Sequence, residues 1–160
     1  MKIHIVAIGR LKAGPESELF ARYAKRFENM GRARGFSGIH VREFAESPGK
    51  NAAERQRKEA EKLLRALPER AVVVALDETG SSFASDKFAG ALGRWADQGV
   101  GDLAFVLGGP DGLDRQVLDR AGLVLCLGAM TWPHQIARIL LSEQLYRAAS
   151  ILSGHPYHRS

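Results

Sequence analysis

The sequence predicts an α/β fold with a mostly parallel sheet flanked by helices. Short apolar runs rich in β-branched residues alternate with amphipathic helical patterns from one end of the chain to the other. The chain has 160 residues, which suits a single domain with a sizeable core. No internal repeat, low-complexity segment or linker breaks the alternation. We therefore expect one domain over residues 1–160.

A buried strand and an amphipathic helix are predicted first. Residues 3–8 form a β-branched run that ends at Gly9, which favours a strand buried on both faces. Apolar residues then recur at helical spacing from Glu16 to the glycine at Gly31. The basic side of this helix, which includes Arg22, could contact phosphates or could be an ordinary solvated face.

A half-exposed strand and a highly charged helix follow. Residues 39–44 alternate enough between apolar and polar side chains for a strand with one wet face. Asn51 is a candidate helix cap, and Pro68 stops the helical pattern that it begins. The mixed charges of this helix indicate a mostly solvated element.

The third strand, over residues 71–77, has the clearest pattern in the chain. Asp77 at its end could orient a ligand hydroxyl or could simply form a turn. The small polar residues over 81–85 offer a cap for a helix that passes Trp95 and closes at Gly99.

Two further strands, each followed by a glycine-bearing loop, concentrate the candidate chemistry in the C-terminal part. The apolar run 102–107 breaks into the glycine-rich loop 108–112, and a short helix follows over about 114–120. The apolar run 123–127 then enters a second loop over 128–132. Ligands bind at the carboxyl ends of parallel strands, so the two loops predict one shared pocket.

A long helix and a short polar tail end the chain. Pro133 suits the first turn of a helix whose apolar residues continue to Leu152. Residues 155–159 then bring together two imidazoles, a phenol and a guanidinium. These groups serve proton transfer, stacking and phosphate binding, although chain ends are also commonly disordered.

Composition limits the class of protein. Lysine and arginine number 23 against 18 aspartate and glutamate residues, and this excess favours an anionic partner such as nucleic acid. Cys126 is the only cysteine, which excludes an internal disulfide and fits a reducing compartment. The N-terminal apolar run is too short for a signal peptide, and no apolar stretch approaches the roughly 20 residues of a membrane span. We expect a soluble, cytoplasmic protein.

The motifs argue against several common kinds of site. The loop 108–112 is neither a GxGxxG fingerprint nor a P-loop, because the Lys-Ser or Lys-Thr of a P-loop is missing. His155 and His158 lie three apart but have no partnering ligands nearby, so no metal is expected. A Ser-His-Asp site lacks its nucleophile elbow. Main-chain amides at the glycines are the expected binding groups.

Six short motifs run in order along essentially the whole chain. They are IVAIG at 5–9, LDETGSS at 76–82, GGPDG at 108–112, TWPH at 131–134, EQLYRA at 143–148 and PYHR at 156–159. Together they resemble the RlmH family, small SPOUT-class methyltransferases that act on large-subunit ribosomal RNA. The combined pattern is far more specific than any one motif.

The resemblance implies a trefoil-knotted α/β domain, an exception to the usual unknotted topology, with knot and tail over about residues 102–160. It also implies a homodimer that binds S-adenosylmethionine inside the knot and methylates N3 of a pseudouridine in the assembled ribosome. The helix from Pro133 would be the dimer surface. The tail of one subunit would help to complete the site of the other.

Matched by motif, the cofactor residues of the family fall at predicted strand ends and in the loops after them. They are Leu76, Gly108, Leu127, Gly128, Ala129, Met130, Thr131 and Trp132. Trp132 stands where smaller apolar residues are usual in relatives, which bears on the shape of the expected pocket.

The tail is the expected acceptor side of the site. Methyl transfer needs donor and acceptor in line, and the acceptor nitrogen must lose a proton. His158 and Arg159 are the candidates for accepting that proton or stabilising the uracil anion. Tyr157 is placed to stack on the base or hydrogen-bond to it.

Two further residues, Arg147 and His155, are candidates for substrate binding. Arg147 could hold a phosphate or could simply pair with Glu143 one turn earlier. The residues alone also allow two other classes of protein, a non-catalytic RNA-binding α/β module and a Rossmann-like nucleotide-binding enzyme. Binding of S-adenosylmethionine separates a methyltransferase from both.

Overall fold

The computed structural model describes residues 1–158 and contains a five-stranded sheet with helices on both faces. The strands are β1 Lys2–Ile8, β2 Ile39–Phe44, β3 Val72–Ser82, β4 Asp102–Leu107 and β5 Leu123–Cys126. The helices are α1 Pro15–Gly31, α2 Ala52–Ala66, α3 Ser85–Asp97, α4 Arg115–Arg120 and α5 His134–Leu152, with a 3-10 turn over Arg32–Arg34. The predicted α/β class and the alternation of elements are confirmed. Within residues 1–158, no helix has the length and apolar character to cross a membrane.

The strand order is β2-β1-β4-β3-β5, and all four strand pairings are parallel. β3 therefore lies between β4 and β5. In the register, Leu76 of β3 pairs with Leu107 of β4 and with Leu125 of β5. β4 and β5 consequently end on either side of Leu76, at one edge of the sheet, where the two glycine-bearing loops begin.

The sheet is buried between two apolar layers. Successive side chains of a strand point to opposite faces, so Ile3 and Ile5 pack with α1, α3 and α5, whereas Val6 and Ile8 pack with α2 and α4. All four side chains are at most 1% exposed, which confirms a first strand buried on both faces. Each such side chain contributes roughly 1.5–3 kcal/mol by burial.

β3 is longer than the predicted strand over 71–77, and its second part lies against β5. Leu125 pairs with both Leu76 and Ser81, with a register shift between these two partners. A Cβ atom built on Gly80 would lie 2.7 Å from the backbone N and C atoms of Leu125. The chain therefore lies directly against the backbone of β5 at a residue where only glycine fits. The trefoil knot stays a prediction of the resemblance.

The polar residues on either side of Gly80 form a turn and part of β3, and they do not cap α3. The predicted side-chain cap from residues 81–85 is wrong, because α3 begins after Ala84 without a side-chain cap bond. Ser81 and Ser82 instead belong to β3. Asp77 takes the turn-forming role that we left open, since its Oδ1 accepts hydrogen bonds from the backbone N of Thr79 at 2.9 Å and from its Oγ1 at 2.6 Å.

One buried cation fixes the start of α5 to the sheet. Arg138 is fully buried, donates to the main-chain oxygen of Gly9 at 2.6 Å and pairs with Glu43 at the end of β2. Burial lowers the pKa of the Arg138 guanidinium, and Glu43 partly offsets this. Removing Glu43 would leave a buried cation unpaired, at a cost of about 3–5 kcal/mol. The loop before α5 is thereby held at the carboxyl edge of the sheet.

Candidate active site

The two glycine-bearing loops lie on either side of Leu76, in the middle of β3. Loop 108–112 continues from β4, and loop 127–132 continues from β5. Neighbouring strands are about 4.8 Å apart, so the two loops start roughly 10 Å from one another, with Leu76 between them. The structure thus places all eight predicted cofactor residues at one edge of the sheet.

Loop 108–112 is closed by its own backbone. The amide of Gly112 donates to the oxygen of Gly109 at 3.0 Å, and Gly112 has a φ of +83°. A Cβ atom on Gly108 would lie 2.7 Å from the carbonyl carbon and oxygen of Gly112. Glycine is therefore required at position 108 by the loop itself, before any ligand is considered.

Side chains of α2 hold this loop from outside. Arg55 donates to both carboxylate oxygens of Asp111, at 2.6 and 2.8 Å, and Gln56 donates to the main-chain oxygen of Asp111 at 2.5 Å. The hydrogen bonds from Arg55 hold the pKa of Asp111 below its ordinary value. No local pattern links Arg55 to a loop so distant in the chain, so sequence reasoning missed this pair.

Glu59, one turn further along α2, connects a second loop to the same place. It is 3% exposed, and its Oε1 accepts from the amide of Ser47 at 2.8 Å. Its Oε2 has no hydrogen-bond partner within residues 1–158 and faces Gly109. α2 therefore fastens both the loop after β2 and loop 108–112.

Loop 127–132 contains main-chain amides that could donate hydrogen bonds to a ligand. Within the described part of the chain, the amides of residues 128–132 donate no hydrogen bond. Met130 is 74% exposed and Trp132 is 42% exposed, which is unusual for such large apolar side chains. The Trp132 indole folds back toward Gly128, where its Nε1 would lie 3.8 Å from a Cβ atom. Free amides beside apolar surface suit the edge and faces of a heterocyclic base.

The tail folds back on α5. The hydroxyl of Tyr157 donates to Glu143 at 3.0 Å, and its ring lies 4.4 Å from the ring of Tyr146. The Arg147 guanidinium lies 4.9 Å from the centre of the Tyr157 ring. Burial and then the hydrogen bond to Glu143 raise the pKa of Tyr157 to about 12. The phenol therefore keeps its proton at neutral pH and can donate a hydrogen bond.

Arg147 pairs with Glu143, which is one of the two roles that we considered for it. Its Nε and Nη2 atoms lie 3.0 and 2.6 Å from Glu143 Oε1. The remaining Nη1 lies 3.5 Å from Nδ1 of His158, whose Nε2 lies 3.3 Å from Asp86 on α3. His155 is exposed, and its Nδ1 accepts from the backbone N of Tyr157 at 3.2 Å.

Within residues 1–158, no hydrogen bond or ion pair joins the tail to the glycine-bearing loops. Thirteen helical positions separate His134, next to loop 127–132, from Arg147, which corresponds to about 20 Å along α5. Tyr157 and His158 contact Arg147 and Glu143 of α5 and Asp86 of α3, and their hydrogen bonds and ion pairs do not include the predicted cofactor residues. Arg159, the third predicted catalytic residue, lies outside the described residues. Within residues 1–158, no group of three His, Cys, Asp or Glu side chains could hold a metal ion.

A parallel α/β sheet with a main-chain site at its carboxyl edge defines a class of enzymes that bind nucleotide-like ligands. A family model described as predicted SPOUT methyltransferase matches residues 1–158, so the chain belongs to that family.

Relatives match over the full length of the chain. A protein of Allorhizobium ampelinum named ribosomal RNA large subunit methyltransferase H is 55% identical over 160 residues, which cover 100% of both chains. Proteins with the same name are 53% identical in Rhizobium leguminosarum bv. trifolii, over 99% of both chains, and 49% identical in a Bradyrhizobium species, over 100% of this chain and 99% of the relative. The resemblance to the RlmH family is confirmed.

A solved Legionella pneumophila structure with the cofactor SAM bound has a TM-score of 0.45 and 12% identity. The match covers 91% of this chain and 65% of the other. This similarity is too low to bear on function.

Proposed function

We propose that this protein is an S-adenosylmethionine-dependent methyltransferase that methylates N3 of a pseudouridine in large-subunit ribosomal RNA. The observation that carries the proposal is the position of loops 108–112 and 127–132 on either side of Leu76 in β3, in a chain of the SPOUT methyltransferase family. Full-length relatives named ribosomal RNA large subunit methyltransferase H support the choice of substrate. The protein would act in the cytoplasm on assembled ribosomes.

The residues at this edge fit the proposed cofactor. S-adenosylmethionine would supply an activated methyl group on a sulfonium. The unpaired amides of residues 128–132 would hydrogen-bond the adenine edge, while Leu76 and Leu127 contact its faces. Gly108 lets loop 108–112 close tightly enough to border the same space. The exposed Met130 and Trp132 would cover the bound molecule and exclude water.

The tail residues would act on the acceptor base. A proton must leave N3 when the methyl group arrives, and His158, which has a ring nitrogen able to accept it, would be the base. Tyr157 stays protonated, so it would stack on the base or donate a hydrogen bond to it. Arg159 would stabilise negative charge developing on the uracil ring, and Arg147 and His155 would be further substrate contacts.

The separation of the two halves supports a homodimer. About 20 Å of α5 lies between loop 127–132 and the position where Arg147 meets the tail. A second subunit could bring its own tail to the loops, as the family resemblance implies. Partly exposed Ile136 and Leu140 on α5, together with exposed Met130 and Trp132, provide apolar surface for such a contact.

Two measurements test the proposed function. Calorimetric titration should show binding of S-adenosylmethionine but not of NAD or ATP, and ribosomes from cells lacking this protein should accept one radiolabelled methyl group. Before that reaction, mass mapping of the ribosomal RNA from these cells should show that one pseudouridine lacks a methyl group. Binding of ribosomal RNA without binding of S-adenosylmethionine would instead identify a non-catalytic module, and preferential binding of NAD or ATP would identify a Rossmann-like enzyme.

A further inference from the structure

The outer face of α2 borders a cavity that the proposed active site does not use. Its volume is about 370 Å³, and it lies between α2 and the loop after β2. The lining residues are Ser47, Pro48, Lys58, Glu61, Lys62 and Arg65. Three of these six side chains are cations and one is a carboxylate, so the cavity suits an anionic ligand. We call it the α2 cavity.

Hydrogen bonds fix the walls of the α2 cavity. Lys62 Nζ donates to Ser47 Oγ at 2.9 Å, and Lys58 Nζ donates to the oxygen of Pro48 at 3.0 Å. Ser47 is 4% exposed, and buried Glu59 accepts from its amide on the inner side. The loop is therefore fastened to α2 from both sides. A ligand would meet a preformed surface, which reduces the entropy lost on binding.

Two cations of the cavity are not neutralised by the protein. Lys58 pairs with Glu54 at 2.7 Å, and Glu61 is 3.5 Å from Arg57. Within residues 1–158, Lys62 and Arg65 have no carboxylate partner. They are three positions apart on a helix, so both project on the same side. Two cations next to a hydroxyl group complement the oxygens of a phosphodiester.

The helix that lines the cavity also holds loop 108–112. Arg55, which pairs with Asp111 of that loop, precedes Lys58 by three positions and Lys62 by seven. These spacings correspond to roughly 5 and 10 Å along the helix axis. An extended anion in the α2 cavity would therefore pass next to the proposed cofactor site.

We propose that the α2 cavity binds the phosphate backbone of ribosomal RNA beside the nucleotide to be methylated. The identity of the RNA rests on the proposed function, whereas the binding surface rests on the cavity and its charges. Lys62 and Arg65 contact phosphate and position the substrate, and they take no part in the methyl transfer.

The test uses the full-length protein and large ribosomal subunits from cells that lack it. The variants are Lys62→Ala/Arg65→Ala, Arg65→Ala alone, and the charge-preserving Lys62→Arg/Arg65→Lys. Arg57→Ala is the matched control, because Arg57 is an exposed cation on the same helix outside the cavity. Arg65→Ala removes one positive charge without removing a hydrogen bond of the fold, since Arg65 makes no hydrogen bond within residues 1–158. Binding is measured at several KCl concentrations, and methyl transfer is measured in parallel.

The double alanine variant should raise KM for ribosomal subunits about tenfold and lower the salt slope of binding by about 1 to 2. It should leave kcat and the Kd for S-adenosylmethionine within about twofold of wild type. Arg65→Ala should show about half of the change in slope. The charge-preserving variant and Arg57→Ala should behave like wild type.

Three outcomes would overturn the inference. Unchanged KM and salt slope in the double variant would remove the cavity from RNA binding. An equal loss in Arg57→Ala would assign the effect to the general charge of the helix. A loss with assembled subunits but not with protein-free ribosomal RNA would point to a ribosomal protein as the partner. Absence of methyl transfer by the wild-type protein would refute the proposed function instead, because the binding measurements do not require catalysis.

Discussion

The two halves of the proposed active site are built from different parts of the polypeptide. The cofactor half uses main-chain atoms of loops 108–112 and 127–132, fixed by a parallel sheet and by α2. The acceptor half uses side chains of the tail and of α5, held by pairs such as Arg147 with Glu143. A main-chain site fails when backbone geometry changes, whereas a side-chain site fails when one functional group is removed. The two halves should therefore respond differently to substitution.

The largest effect is expected from Gly108→Val in the cofactor half. A side chain at this position would lie within 2.7 Å of the Gly112 carbonyl, so loop 108–112 would have to open. We expect no detectable binding of S-adenosylmethionine by calorimetry. The matched control is Gly101→Val, because open space surrounds Gly101. Unchanged affinity in Gly108→Val, with a normal thermal unfolding transition, would contradict this placement.

His158→Ala should separate the two halves. Loss of a general base lowers kcat by about 10²- to 10⁴-fold, while the Kd for S-adenosylmethionine should stay within about twofold because the loops are intact. His155→Ala removes the other imidazole of the tail and should raise KM for ribosomes more than it lowers kcat. Equal activity of wild type and His158→Ala would remove His158 from the mechanism.

Mixed dimers test whether the halves come from different subunits. Gly108→Val and His158→Ala subunits should each be inactive alone. Refolded together, half of the dimers are mixed, and each mixed dimer has one site with both an intact loop and an intact tail. Activity should then recover to about a quarter of wild type. No recovery would place the tail and the loops of one subunit in the same site.

The sequence predicted the positions of the two glycine-bearing loops better than the contacts that support them. Strand ends and glycine loops follow from local patterns, so residues 108–112 and 127–132 could be placed at one edge in advance. The Arg55–Asp111 pair and the buried Arg138 join residues far apart in the chain, and nothing distinguishes their side chains from exposed charges in the sequence. The close approach of Gly80 to the backbone of β5 was also missed, because Thr79-Gly80 resembles an ordinary strand end.

Arg55→Met should weaken the cofactor half without touching the ligand. Without the pair to Asp111, the population of the closed form of loop 108–112 should fall about tenfold. The Kd for S-adenosylmethionine should rise by the same factor, because only the closed form binds. Arg57→Met, on an exposed pair of the same helix, should not change the Kd. Arg55 lowers the pKa of Asp111, so wild-type affinity should fall toward that of Arg55→Met as the pH drops through this depressed pKa. An unchanged Kd would make the pair irrelevant to the loop.

The smallest effect is expected at the acceptor half in alkaline solution, from Tyr157→Phe. The folded state raises the pKa of Tyr157 from its ordinary value of 10.0 to about 12, because the phenol is partly buried and bonded to Glu143. Below pH 10 the phenol is protonated in both the folded and the unfolded chain, so its full contribution to stability is present. Between these two values the unfolded chain loses the proton first, and the contribution is lost as the pH rises through about 12.

The difference in unfolding free energy between wild type and Tyr157→Phe should therefore shrink from pH 9 upward through pH 11 in urea titrations. Effects of the other tyrosines and of the lysines cancel in this difference, because both proteins share them. A constant difference over the same range would mean that the tail leaves Glu143 in solution. The acceptor half would then be assembled only when the substrate or the second subunit is present, and the contrast with the preformed cofactor half would be sharper still.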